Sequence, residues 1–399
     1  MTGRILIADK LEESALNGLK AIGSTVDYQP SLTAETLSSA IKGAKILIVR
    51  STKVPKAVFE SADALQLVIR AGAGVNTIDL ASASKAGIFV TNCPGKNAAA
   101  VAELAIGLLL ACDRRIPQAT ADLKSGNWDK KGFSDAAGLK DRTLGILGLG
   151  TIGMLVADRA KALEMNVIAW SRSLTPERAA DLDIGYCATP LDLAKRSDAV
   201  SVHFAMTTET CDIVNAKFIG EMKPKSILIN TSRGEICNTA ALLQAMNEKK
   251  IRVGLDVYVN EPSENGAFNA EITKHPLFCG TPHIGASTAE AQEAVASETV
   301  KIATAFIKTG AVLNCVNILE TTPAKYRLLV RHQDKPGVLA GVFDLLKRDG
   351  INAQRINNTI FQGAASAFAT IELDSAVSDA SLTAMRSGDG VLGVELIEA

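Results

Sequence analysis

Three short segments carry residue types that can move protons and hold anions. Residues 229–234 read Ile-Asn-Thr-Ser-Arg-Gly, with Arg233 just after an apolar run. Residues 255–262 read Leu-Asp-Val-Tyr-Val-Asn-Glu-Pro, so Asp256 and Glu261 follow a second apolar run. Residues 281–288 read Thr-Pro-His-Ile-Gly-Ala-Ser-Thr and put His283 in a loop after a third. A guanidinium grips a carboxylate through paired hydrogen bonds, and an imidazole exchanges a proton near neutral pH. Each residue taken alone also fits a structural part: Arg233 on a surface loop, Asp256 capping a turn, Glu261 in a solvated turn before Pro262, His283 in a helix-capping loop. Their common placement favours chemistry. In an open α/β sheet the carboxyl ends of the strands form the ligand crevice, so all four charged groups are expected at one crevice.

The element that must organise that crevice is a glycine motif. An apolar strand over 143–147 runs into Gly148-x-Gly150-x-x-Gly153, and a helical pattern follows over 154–162. The first glycine permits a tight turn, the second lets a pyrophosphate approach the backbone, and the third lets the helix pack closely on the sheet. The helix N-terminus, with Thr151 and Ile152 in the motif, offers free N–H groups to the phosphates. A strand–motif–helix order of this kind predicts a bound dinucleotide. The second strand of the unit, over 166–170, ends in Ser171-Arg172-Ser173. NAD enzymes usually carry Asp or Glu there to hold the ribose 2′-hydroxyl. Here no carboxylate repels a 2′-phosphate and Arg172 can pair with one. This favours NADP(H). The alternative is NAD held without its usual carboxylate, with Arg172 a solvated surface residue.

A chain of 399 residues predicts two or three domains. Hydrophobic content of 47% suffices for several cores, and a net charge of −1 without basic blocks argues against nucleic acid and anionic membrane as partners. The N-terminus enters a strand directly and lacks the apolar core of a signal peptide. The longest apolar helix candidate, 98–112, contains Glu103 and is too short to span a bilayer. Seven cysteines are scattered, odd in number and without a C-x-x-C pair, which suits a reducing cytoplasm. Four histidines lack metal-ligand spacing, so no metal is expected.

Strands are expected over 4–8, 45–49, 67–70 and 88–91, with helices over 11–21, 34–42, 78–86 and 98–115. After the glycine motif come strands over 199–203, 226–230 and 252–256, a helix over 240–247 and a long helix over 289–308. Beyond a stretch without periodicity, 325–331, 337–348, 359–373, 380–386 and 393–397 form a β-α-β-β-α-β pattern broken at Gly363. The fold class is therefore α/β, with two Rossmann-like or flavodoxin-like parallel-sheet domains, for substrate and cofactor, and a C-terminal ferredoxin-like domain. The boundaries expected are 1–97 with 285–315 (substrate), 98–284 (cofactor), 316–321 (linker) and 322–399 (C-terminal).

Over nearly its whole length the chain resembles the D-isomer-specific 2-hydroxyacid dehydrogenases. The carriers are Val49-Arg-Ser-Thr-Lys-Val, Arg70-Ala-Gly-Ala-Gly-Val-Asn, Arg115-Ile-Pro-Gln-Ala-Thr, the glycine motif and the three charged segments. Pro282-His-Ile-Gly-Ala-Ser-Thr points within the family to its phosphoglycerate dehydrogenase branch. The resemblance implies oxidation of 3-phosphoglycerate to 3-phosphohydroxypyruvate with NAD(P), the entry to serine synthesis. It implies a catalytic trio. His283 would take the hydroxyl proton, Glu261 would hold the other ring nitrogen, and Arg233 would grip the substrate carboxylate and the developing carbonyl oxygen. Asp256 would contact the nicotinamide amide, with His203, Ala205, Thr210, Thr231, Ser232 and Gly285 also around the cofactor. The loop 71–75, with Ala73 and Gly74, would give N–H groups to the substrate carboxylate. Arg50, Arg70 and, from a neighbouring subunit, Lys130 would meet a phosphate; pairing with structural carboxylates is the alternative for the two arginines.

Three positions depart from the family pattern. Ser171 stands where an acid is common, Ala205 where His-x-Pro is common, and Asn76 where Asp is frequent. Two other readings compete: an NADPH-dependent glyoxylate or hydroxypyruvate reductase, and a dinucleotide-sensing scaffold without catalysis. The C-terminal segment resembles an ACT regulatory domain through His332-Gln-Asp-Lys-Pro-Gly-Val-Leu-Ala and Gly350-Ile-Asn352. That resemblance implies an amino-acid effector such as serine at His332, Asp334 and Asn352, and a homodimer or homotetramer. Asp334 replaces the usual Asn, and a pairing module without ligand is the alternative.

Overall fold

The computed structural model describes residues 3–262 and 266–399. They form two compact units, Met1–Asn317 and Ile318–Ala399.

The first unit holds two parallel sheets. One contains β1 (Arg4–Ile7), β2 (Thr25–Tyr28), β3 (Ala44–Val49), β4 (Leu67–Arg70) and β5 (Phe89–Asn92), in the order β2-β1-β3-β4-β5. This is the flavodoxin order. Ile5, Leu6, Ile7, Leu47, Ile48 and Val49 are fully buried, because helices cover both faces of a parallel sheet. The helix Ala289–Thr309 returns to this sheet and sinks Ile302, Ala303, Phe306 and Ile307 into the core that holds Ile5, Ile7 and Leu67. The segment after it runs along the free edge of β5. The Val316 N–H donates to the Val90 carbonyl, and the Asn317 amide bridges the Val90 N–H and the Ile88 carbonyl. Residues 316 and 317, expected in a linker, are thus bonded to β5.

The second sheet contains β6 (Thr143–Leu147), β7 (Asn166–Trp170), β8 (Gly185–Tyr186), β9 (Ala199–Val202), β10 (Ile227–Asn230), β11 (Arg252–Leu255) and β12 (Phe278–Gly280). Its order is β12-β11-β10-β9-β6-β7-β8, so the direction of winding reverses between β6 and β9. That switch point opens a crevice beyond the carboxyl ends of the strands. The helix Ala98–Arg114 links the two sheets and buries Ala102, Ala105, Leu108 and Leu109. At the glycine motif Gly148 has φ 101°. The helix Thr151–Ala162 starts earlier than periodicity suggests because Gly150 serves as its N-cap. A Cβ on Gly153 would sit 2.2 Å from the Gly148 carbonyl oxygen, whereas one on Gly150 would meet nothing within 4 Å.

In the C-terminal unit β13 (Tyr326–Gln333), β14 (Ala353–Ile360), β15 (Ser366–Leu373) and β16 (Val391–Glu398) form an antiparallel sheet, order β14-β15-β13-β16. With helices Val338–Arg348 and Asp379–Arg386 this is the ferredoxin-like β-α-β-β-α-β arrangement. Gly363, at φ 89°, lies in the turn between β14 and β15. No helix among the described residues is long and apolar enough to cross a membrane.

Gly153→Ala tests how tightly the motif helix is seated. The added methyl meets rigid backbone, so the variant should lose about 1–3 kcal/mol by urea denaturation. Unchanged stability would mean that the helix can move away from Gly148.

Candidate active site

The carboxyl ends of both sheets face a cavity of about 650 Å³, lined among others by Arg50, Arg70, Arg233, Glu261 and His283. Arg50 follows β3 and Arg70 ends β4, while Arg233, Glu261 and His283 follow β10, β11 and β12. Two sheets thus bring residues 50 and 283 to one space.

Glu261 and His283 form a dyad. His283 Nδ1 lies 2.6 Å from Glu261 Oε2, and Glu261 Oε1 accepts the Tyr258 N–H at 2.8 Å. Burial pushes the Glu261 carboxyl up. The bonds from His283 and Tyr258, with the charges of His283 and Arg233, outweigh that and hold its pKa below the usual range. Glu261 is therefore an anion at neutral pH, and an anion only accepts hydrogen bonds. His283 Nδ1 must carry the proton, which leaves Nε2 free to take another.

His283 sits at φ 53°, a left-handed backbone uncommon for residues other than glycine. Asp256 holds it there. Asp256 Oδ1 accepts from Thr281 Oγ1 at 2.6 Å and from the Ile284 N–H at 2.8 Å, and Oδ2 accepts from the Gly285 N–H at 2.9 Å. Asp256 is 1% exposed, and burial raises its pKa against these bonds. A Cβ on Gly285 would lie 2.9 Å from Asp256 Oδ2. Both carboxylate oxygens thus serve the His283 loop, where the resemblance implies a contact with the nicotinamide amide.

Asn230 pins the Arg233 turn. Its Nδ2 donates to the Arg233 carbonyl, and its Oδ1 accepts from the Ser232 N–H and Oγ. The loop 71–75 passes so close that a Cβ on Gly74 would lie 2.4 Å from an Arg233 Nη. Arg50, Arg70 and Arg233 make no ion pair among the described residues. Burial, then the charges of Arg233 and Arg50, lowers the Arg70 pKa, and Arg70 Nε is buried without a partner. Asp9 bonds the backbone N–H groups of Arg50, Ser51 and Thr52 and leaves the Arg50 guanidinium unpaired. Glu12 and Glu235 also line the cavity without pairing to an arginine. Lys53, Asn97 and Gln292 line it too and escaped the sequence reading. Lys53 lay in a quoted motif, whereas the two amides carried no charge signal. Ala73, Gly74 and Lys130 are not among the residues lining the cavity; Lys130 is exposed.

The glycine crevice fits a dinucleotide. The space at Gly150 lies open beside the helix N-terminus, where Thr151 and Ile152 form the first turn. Just past β9 and β10, His203 Nδ1 and Thr231 Oγ1 are buried without partners among the described residues. His203 Nε2 is 2.7 Å from Ser201 Oγ, and burial depresses the His203 pKa to about 3, so its ring is neutral. Thr210 Oγ1 donates to the Ala205 carbonyl at 2.7 Å and shapes the loop after β9. Ser171 is half-buried at the end of β7, and Arg172 and Ser173 are exposed.

The three effector candidates do not converge within one chain. His332 is buried, its Nδ1 2.8 Å from the Gln333 carbonyl and its Nε2 3.1 Å from Asn358 Oδ1. Asp334 lies exposed just past the end of β13. Asn352 precedes Ala353, which pairs with Leu373 and, through it, with Tyr326 at the start of β13. β13 and β14 run in the same direction, so the start of one lies far from the end of the other.

Comparison with known proteins accounts for this arrangement. Residues 106–285 match the family model described as D-isomer specific 2-hydroxyacid dehydrogenase, NAD binding domain. The chain is 42% identical over 293 residues to D-3-phosphoglycerate dehydrogenase of Methanocaldococcus jannaschii, covering 73% of this chain and 55% of that one. The chain therefore spans only about half the length of that enzyme. It is 38% identical over 301 residues to hydroxypyruvate reductase of Thermotoga maritima, covering 75% of this chain and 96% of the relative. A solved NADPH-dependent glyoxylate/hydroxypyruvate reductase of Sinorhizobium meliloti, in complex with NADP and malonate, superposes with a TM-score of 0.68 at 29% identity, covering 79% of this chain and 97% of that one. By these similarities the chain belongs to the D-isomer-specific 2-hydroxyacid dehydrogenase family.

Proposed function

We propose that the protein is a nicotinamide-dependent D-2-hydroxyacid dehydrogenase whose substrate carries two anionic groups, 3-phosphoglycerate, oxidised to 3-phosphohydroxypyruvate. One observation carries the substrate: Arg50, Arg70 and Arg233 line a single cavity with no carboxylate partner among the described residues. A hydroxy acid with one carboxylate satisfies one guanidinium. A phosphate satisfies the others and relieves their mutual repulsion. The phosphoglycerate dehydrogenases among the relatives support this reading.

A nicotinamide cofactor held in the glycine crevice would supply the acceptor for the hydride on the substrate C2. His283 Nε2 takes the hydroxyl proton, and Glu261 stabilises the imidazolium that results. Arg233 holds the carboxylate and the oxygen on which the carbonyl forms. The loop 71–75 completes the carboxylate grip with backbone N–H groups. The Gly148–Gly153 turn and the helix N-terminus would hold the pyrophosphate, His203 and Thr231 would offer their unpartnered polar atoms to the cofactor, and Ser171 with Arg172 would accommodate a 2′-phosphate. A second copy fits the same reading. β14 is an edge strand with Ile356 and Ile360 exposed, and such edges are commonly covered by pairing. Trp128, 81% exposed close to Lys130, suits the surface that would carry Lys130 to a neighbour's site.

The second reading, a glyoxylate or hydroxypyruvate reductase using NADPH, draws on Ser171-Arg172-Ser173 and on the S. meliloti relative. A substrate panel separates the two. Phosphohydroxypyruvate should be reduced with a far higher kcat/KM than hydroxypyruvate or glyoxylate. Arg70→Ala should cut turnover of the phosphorylated substrate roughly 10–100-fold, the worth of a hydrogen bond to a charged group, and leave the unphosphorylated acids within about threefold. Equal use of glyoxylate by the wild type would refute the phosphate assignment.

Cofactor choice is read by fluorescence titration with NADPH and NADH. Wild-type protein should prefer NADPH. Arg172→Ala should weaken NADPH binding roughly tenfold, since the side chain is exposed and screened, and Ser171→Asp should shift preference to NADH. A clear NADH preference in the wild type would contradict the assignment.

A further inference from the structure

Asn92, the last residue of β5, makes two separate sets of hydrogen bonds. Its main chain faces the segment after the long helix: the Asn92 N–H donates to the Asn314 carbonyl at 3.3 Å, and Asn314 Nδ2 donates to the Asn92 carbonyl at 3.3 Å. Its side chain faces the other way, and Asn92 Nδ2 donates to the Ala73 carbonyl at 2.6 Å. Among the described residues this is the only hydrogen bond of that side chain. The next residue adds a main-chain bond, from the Cys93 N–H to the Gly72 carbonyl at 2.9 Å.

The far side of Asn92 is anchored. Asn314 Nδ2 also donates to Glu298 Oε1 at 3.0 Å, and Lys96 Nζ lies 3.1 Å from Glu298 Oε2. The Glu298 side chain is 8% exposed. Burial would raise its pKa, but the bonds from Lys96 and Asn314 and the charges of Lys96 and Lys301 hold it lower. An ionised Glu298 on the helix Ala289–Thr309 therefore fixes Asn314, which fixes the Asn92 backbone, which aims the amide at Ala73. That helix begins shortly after His283. The loop 71–75 and the His283 loop are thus referred to one rigid element.

We infer that Asn92 is a positioning residue for the substrate: its amide holds the loop 71–75 in the shape that meets the substrate carboxylate. This rests on the reading that the loop grips the carboxylate. Main-chain bonds set the two ends of the loop, from the Ala71 N–H to the Val49 carbonyl, from the Cys93 N–H to the Gly72 carbonyl and from the Ile78 N–H to the Val75 carbonyl, and the Asn92 amide holds the carbonyl of Ala73 between them. Gly72 and Gly74 cost the loop conformational restraint, and Gly74 passes close to the Arg233 guanidinium. Freed from Asn92, the Ala73 carbonyl can turn and take the neighbouring N–H groups with it.

The test uses full-length protein carrying Asn92→Ala, Asn92→Asp or Gly74→Ala. The two Asn92 variants remove only the donor to Ala73, because the bonds to Asn314 are main-chain. Each should raise the KM of the hydroxy or oxo acid by tenfold or more. kcat should stay within about threefold, because the His283–Glu261 dyad is untouched, and the cofactor Kd, read by fluorescence, should not move. Asn92→Asp should be no better than alanine, since a carboxylate cannot donate to a carbonyl. Gly74→Ala should raise KM as well, by displacing the loop from Arg233. If Gly74→Ala raises KM and the Asn92 variants do not, the contact between Gly74 and the Arg233 guanidinium matters to substrate binding and the role of Asn92 is overturned. If none of the three moves KM, the loop does not hold the substrate and both ideas fall. Asn92 variants that weaken cofactor binding or lower the unfolding midpoint with KM unchanged would mark Asn92 as merely structural.

Discussion

The Asp256 carboxylate, buried at the end of β11, accepts three hydrogen bonds from the loop that carries His283. Without them a histidine at φ 53° would relax to a commoner backbone. With them the imidazole is turned toward Glu261, whose own position is set by the Tyr258 N–H on the same β11 loop. The proton-handling pair is thus built from the ends of two adjacent strands, and its geometry depends on their register. β11 pairs with β12 from Val253 with Phe278 to Leu255 with Gly280. A slip of one residue would turn every side chain to the other face.

Electrostatics divides the site in two. Around the dyad, anions dominate: Glu261 is ionised and Asp256 lies beneath the loop. Across the cavity lie three arginines without carboxylate partners among the described residues. Holding like charges together costs folding free energy, and an anionic ligand recovers that cost on binding. On the proposed reading, a dianionic substrate would meet the arginines with its charged groups and His283 with its hydroxyl. The neutral His203 ring keeps a further charge away from the cofactor crevice.

The strands that organise the site were legible because they are buried on both faces. β1, β3, β4, β6, β9, β10 and β11 appear as apolar runs, and Arg233, Asp256, Glu261 and His283 stand out directly after such runs. β2 was missed because Thr25–Tyr28 is a short edge strand with a charged residue in it, and β14 begins at Ala353 rather than near 359 because most of its residues are exposed and show no apolar run. Asn92 had no signal of its own: an amide at a strand end looks like any turn residue, and its partner at Ala73 is a backbone atom. The three effector candidates were individually identifiable, but strand direction decides whether they meet, and direction becomes readable only with the sheet order. The hydrogen bonds of Asp256 were hidden for a related reason: its sequence neighbours are hydrophobic, and its donors come from the loop after the next strand.

The central claim is that His283 and Glu261 act as one unit, with the Glu261 anion fixing the proton on Nδ1. A double-mutant cycle on kcat/KM with Glu261→Gln, His283→Asn and both together tests it most directly. His283→Asn should cost roughly 10²–10⁴-fold, the usual worth of a general acid–base group. Glu261→Gln should cost at least about tenfold alone and almost nothing further once His283 is gone, since residues acting as a unit are strongly non-additive. Losses that simply multiply in the double variant would mean that Glu261 acts independently of His283 and would contradict this account.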